Sequence, residues 1–142
     1  MTTPIPNLDL ALELIEKRNF KEAEAVLLNI LDHDTQNPHS VYIVLGNLYR
    51  DMGEKQKAME NFMKATRLQP KSELASLGLY IIYHELDRDM EAMEELFRYL
   101  KSYPADLFKD TLTELLEGLE HGFMTCYKKE IHEFASLNGV EK

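Results

Sequence analysis

Tryptophan is absent from this 142-residue sequence and cysteine occurs once. The lone Cys126 cannot close an internal disulfide, so packing alone must hold the core, and the residue reads as a small buried or half-buried hydrophobe. The five histidines, His33, His39, His84, His121 and His132, form no His-Glu-x-x-His or other zinc spacing. His121, Cys126 and His132 lie five and six residues apart, which spreads them around a helix instead of gathering them on a metal. No glycine-rich loop is present to cradle a phosphate, and no serine or cysteine sits in the setting of an activated nucleophile. No catalytic residue, no cofactor and no metal is therefore expected.

Positive charge is also scarce. The formal net charge is −9, and no run of Lys or Arg interrupts it. A field of that sign argues against nucleic acid and anionic membranes as partners. No apolar stretch approaches the length of a membrane span. Residues 1–6 show neither the basic nor the apolar region of a secretory signal, so a cytoplasmic location is expected.

The sequence is 44 % apolar and 29 % charged, enough for one core under a soluble surface. Apolar residues recur at helical spacing throughout. The pattern predicts helices over 8–17 and 20–31, with a turn at Arg18-Asn19, and then a polar loop over 32–37. Helices over 39–52 and 54–68 follow, then one running from a Ser72 cap to about 86, and one over 90–101 capped by Asp89. Glu91, Glu94 and Glu95 read as a solvated helix face beside Arg88 and Arg98. Met52, Met59, Met63, Met90 and Met93 read mainly as interhelix packing.

The stretch 39–70 carries the most information. Tyr42, Leu45 and Tyr49 share one face of its first helix; Ala58, Phe62 and Ala65 share one face of its second. Gly46 lies on the inner face, where a side chain would hold the second helix away. Met52-Gly53 makes the turn, and Pro70 ends the second helix because it has no N–H to donate.

Tyr42, Leu45, Gly46, Tyr49, Ala58, Phe62, Ala65 and Pro70 stand at the offsets of the tetratricopeptide repeat, and the stretch resembles that family closely. The usual tryptophan is replaced by Tyr42. The period of 34 continues from Leu45 to Leu79, Tyr49 to Tyr83, Ala58 to Ala92 and Pro70 to Pro104. In that next unit Ser76 replaces the aromatic, Tyr80 the glycine and Tyr99 the second alanine, and the two tyrosines should shift its helix pair. Leu10, Ala11, Leu14, Ala23, Leu27 and Ile30 mark a more degenerate first unit.

The resemblance implies a single all-α domain over 1–142. It is a helical-repeat solenoid of about three helix pairs (about 4–37, 39–70 and 73–104) with C-terminal capping helices over 105–138. In that last segment Leu112, Leu115, Leu116 and Leu119 mark one amphipathic helix, and Ile131, Phe134 and Leu137 a second. Gly118, Gly122 and Asn138-Gly139 are break and stop signals.

The resemblance further implies a non-catalytic protein–protein interaction module, an adaptor, scaffold or chaperone-like protein. In length and acidity the chain is similar to the small three-repeat chaperones of bacterial type III secretion. First helices line the concave face in this family. The residues expected there are Ser40, Ile43, Asn47, Arg50, Leu74, Leu77, Ile81 and His84, with Ile43, Leu74, Leu77 and Ile81 as an apolar strip. A protein or peptide partner is expected, an amphipathic helix or an extended segment. The alternative is a self-assembling structural element whose groove or open end takes another copy, or a groove filled by the chain's own Leu115, Leu119 or Phe123. Clamp-type members of the family hold a partner's terminal carboxylate with Lys, Asn and Arg. The matching positions here, Leu8, Leu12, Val44, Leu74 and Gly78, offer no such donor.

Overall fold

The structure, a computed structural model, describes residues 7–33 and 36–141. Residues 1–6 and the middle of the 32–37 loop lie outside these residues. Among them are eight α-helices: α1 (Leu8–Glu16), α2 (Phe20–Asp32), α3 (Pro38–Asp51), α4 (Lys55–Leu68), α5 (Glu73–Glu85), α6 (Asp89–Ser102), α7 (Phe108–Glu120) and α8 (Lys128–Leu137). A short 3-10 helix, Thr125–Tyr127, precedes α8. No strand occurs among the described residues, and no helix there is long and apolar enough to cross a membrane.

Each helix from α1 to α5 packs on the next, and α3 also meets α1 and α5. The first helices of successive pairs thus stand side by side in one row, the arrangement of an all-α helical-repeat solenoid. A two-helix unit cannot bury its own apolar face, so the core runs continuously through the stack. Leu27, Leu45, Leu48, Phe62, Ile82, Met93, Leu96, Phe108, Leu112 and Ile131 are all buried within it.

The turn inside each pair is the same device. Arg18, Gly53 and Asp87 have φ of 61°, 80° and 60°. The next N–H closes back onto the helix before it: Asn19 donates to the Leu14 carbonyl, Glu54 to Tyr49 and Arg88 to Tyr83, each at 2.8 Å. This is the left-handed helix stop that glycine adopts without steric cost. Arg18 and Asp87 adopt it at a cost of about 1–2 kcal/mol each. Gly122, at φ 83°, repeats it after α7, with Phe123 N–H donating to the Gly118 carbonyl at 2.9 Å. Gly118 and Gly122 are therefore parts of a fourth turn of the same kind.

Three local expectations change. Asp89 is the first residue of α6, not its cap; its carboxylate instead meets His84 Nδ1. Ser72 does cap α5, accepting from Ala75 N–H at 3.2 Å. Glu95 is not solvated. It is buried, with Oε2 accepting from Ser76 Oγ at 2.7 Å and from Arg98 Nη2 at 2.6 Å, while Oε1 takes Arg98 Nε at 2.8 Å. A carboxylate so placed needs these partners to offset its desolvation. Cys126 is exposed, between Met124 and Tyr127, which pack against the core. Met59 and Met93 are buried, and Met90 is exposed.

Tyr80 and Tyr99, the bulky departures in the third unit, meet a residue from the next segment. The Phe108 ring lies 6.0 Å from Tyr80, edge-on, and 5.6 Å from Tyr99. Phe97 stacks on Phe134 at 5.4 Å and meets Tyr127 at 5.6 Å. Glu73 Oε2 accepts from the N–H groups of Asp106 and Phe108, capping α7 from the start of α5.

Candidate functional site: the face of the first helices

The row formed by α1, α3 and α5 carries the residues expected to meet a partner. Ser40 is half-buried; Asn47 and Arg50 are exposed. Ile43, at 6 % exposure, belongs to the core. With Ile43 buried, the open apolar surface lies further along, on α5. There Leu74 is exposed, and Leu77, Ile81 and His84 are half-buried. Arg50 Nε donates to Glu85 Oε2 at 2.6 Å, tying α3 to α5 and leaving Arg50 engaged.

Ile81 and His84 come together with residues of the C-terminal segment. Between α5 and α7 lies a cavity of about 370 Å³, lined by Tyr80, Ile81, His84, Glu85, Thr111, Glu114, Leu115 and Phe123. Ser40, Asn47, Arg50, Leu74 and Leu77 are not part of its wall. The chain's own C-terminal residues therefore form one side of the depression and leave it open: Leu115 is buried as its floor, while Phe123 stays 45 % exposed at its edge.

Helical register explains the wall. Thr111, Glu114 and Leu115 fall three and four apart, on one face of α7. Phe123 is aimed by the turn. Gly118 has no Cβ, and one placed there would stand 3.1 Å from the Phe123 ring. The ring can therefore fold back against α7. On the opposite wall the His84 ring packs edge-on to Tyr80 at 4.6 Å and lies 6.4 Å from Phe123. Burial pushes the Tyr80 phenol above its ordinary value, and the carboxylates of Glu114 and Asp89 add to that shift.

Sequence reading does not mark Tyr80, Glu85, Thr111 and Glu114 as wall residues. Tyr80 occupied a glycine position and read as a packing defect. The carboxylate-clamp positions remain apolar or glycine in place: Leu12 and Leu74 are exposed, Leu8 and Val44 half-buried, and Gly78 faces Phe62.

Residues 39–72 match the tetratricopeptide repeat family model. A curated relative, the TPR repeat-containing protein MJ1345 of Methanocaldococcus jannaschii, is 36 % identical over 64 residues, which is 45 % of this chain and 20 % of that protein. The chain thus spans about a fifth of the length of the curated relative it matches. No solved structure matches it. Tetratricopeptide repeats generally mediate protein–protein interaction and are generally not catalysts. The helix pair at 39–72 thus matches a tetratricopeptide repeat, and it stands within a stack of consecutive helix pairs.

Proposed function

We propose that this protein is a non-catalytic adaptor, scaffold or chaperone-like module that holds a segment of a partner protein on the face of its first helices. The observation that supports the reading is the open cavity between α5 and α7, lined by half-buried Ile81, with half-buried Leu77 and exposed Leu74 earlier on the same helix. Exposed apolar surface beside a concave, partly polar wall is the usual signature of a docking site. An amphipathic helix with anchors at i, i+3, i+4 and i+7, or an extended segment, suits such a surface. The acidic net charge makes nucleic acid and anionic membranes poor partners, and a cytoplasmic setting fits the composition.

The test is Leu77→Asp together with Ile81→Asp, compared with wild type by affinity capture and circular dichroism. Both side chains are only half-buried, so the double variant is expected to keep its helicity and lose specific partners. A folded variant that retains the same partners removes the groove from the interaction. A variant that unfolds assigns the strip to the core.

The self-assembly reading draws on exposed Leu10 and Leu28 in the first helix pair and Leu137, 75 % exposed, in α8. Light scattering across a concentration series separates it: growth of mass with concentration supports self-association, and a constant monomer mass excludes it.

A further inference from the structure

We infer that the cavity between α5 and α7 receives a cationic side chain, an arginine or lysine, from the partner segment. The inference deepens the docking reading and rests on it.

The cavity combines features that suit a cation on an apolar stem. Three rings border it: Tyr80, His84 and Phe123. Phe123 is 45 % exposed, and the face of a phenyl ring attracts cations through its quadrupole, more strongly where water is excluded. Glu114 and Glu85 supply carboxylates on opposite walls. Glu85 is already paired with Arg50. No ion pair among the described residues engages Glu114. Its charge therefore faces the cavity without a cation of its own. No Lys or Arg lines the space. Ile81 and Leu115 form an apolar floor on which the methylene stem of a long cationic side chain can lie.

The arrangement is also fixed in place. Phe123 is held by its N–H bond to the Gly118 carbonyl and by the space that Gly118 leaves for its ring. His84 is held by Asp89 Oδ1, whose carboxylate adds negative potential behind the ring. A site with walls set before binding loses little entropy when the guest arrives. An acidic guest would meet Glu114, which no cation offsets, and be repelled. A purely apolar guest would leave Glu114 partly desolvated without a partner.

The test selects peptides from a random-sequence display library on the full chain. The binders are then mapped by amide chemical shifts on labelled protein. Arginine in a selected peptide is replaced by citrulline, its neutral isostere, and lysine by norleucine. Expected are peptides that share a basic residue beside apolar ones, and that shift Ile81, His84, Glu114 and Phe123. Their affinity should fall about tenfold or more on neutralising that residue, a typical cost for a lost charge-assisted contact. It should fall similarly in Glu114→Gln and Phe123→Ala, and not in Glu117→Gln, an exposed neighbour on α7. Circular dichroism checks that each variant is folded. Peptides that bind this face without a basic residue, or indifferently to its neutralisation, overturn the inference and leave the docking reading standing. Peptides that bind only elsewhere, or no binders at all, overturn both.

Discussion

The ring of Phe62, in α4, lies so close to Gly78, in α5, that a Cβ on the glycine would stand 2.4 Å from it. Gly46, in α3, faces the same ring, with a Cβ there reaching 2.8 Å. One aromatic side chain thus fills a slot between two first helices, and two glycines create the slot. Phe62 is only 1 % exposed, and burying a side chain of that size contributes about 1.5–3 kcal/mol. This contact sets the distance between the second and third helix pairs. It thereby sets where Leu74, Leu77 and Ile81 stand relative to α3.

Gly78→Ala is therefore expected to destabilise the protein, although alanine is ordinarily the better helix former. Overpacking of this kind costs about 1–3 kcal/mol. Gly46→Leu should cost at least as much. Phe62→Leu, which retracts the ring, should recover part of the loss when combined with Gly78→Ala. Urea unfolding of the two single variants and the double variant measures the coupling. Strict additivity would show that the ring and the glycine do not constrain one another.

Truncation after Pro104 removes Phe108 from Tyr80 and Tyr99, and Tyr127 and Phe134 from Phe97. It also leaves Glu73 without the Asp106 and Phe108 N–H groups it accepts from. We propose that α7 and α8 cap the stack, so the shortened protein should aggregate or lose helicity near α5 and α6. Size-exclusion chromatography and circular dichroism report both. A soluble, fully helical monomer would free the C-terminal helices from any capping role.

Alkaline pH should weaken the fold. Burial, with a hydrogen bond to Glu24 and repulsion from carboxylates, pushes the Tyr49 phenol up to about 12. Tyr80, Tyr83 and Tyr99 are raised as well, each chiefly by burial. Below pH 10 these phenols are neutral in both states and the shift changes nothing. Between about 10 and 12 the unfolded chain ionises while the folded chain does not. The unfolded state then binds fewer protons, and stability falls as pH rises. Melting temperature should drop across that window, and less steeply in Tyr49→Phe. Equal slopes in the two proteins would mean that other groups carry the alkaline loss.

What the sequence determined by itself was the local part: helix positions, their pairing, and the central repeat. Helical spacing and the Gly, Ala and Pro offsets act over a few residues, so they can be read along the chain. The close approach at Gly46 was legible for that reason. The partner of Gly78 was not. Its clash is with a helix of the preceding unit, and Gly78 stands outside the repeat's own glycine position. The fourth turn at Gly122 was hidden because α8 starts several residues later than the second helices of the other pairs, which breaks the period. The cavity was decided only in three dimensions. Phe123 and Leu115 were legible as residues that could reach the groove, but Tyr80 reads along the chain only as a departure from the repeat, because side chains on α5 and α7 share a wall only once the two helices are brought together. Ile43 illustrates the same limit: its place on the first-helix row was legible, but tertiary packing alone decides its burial, and it lies in the core.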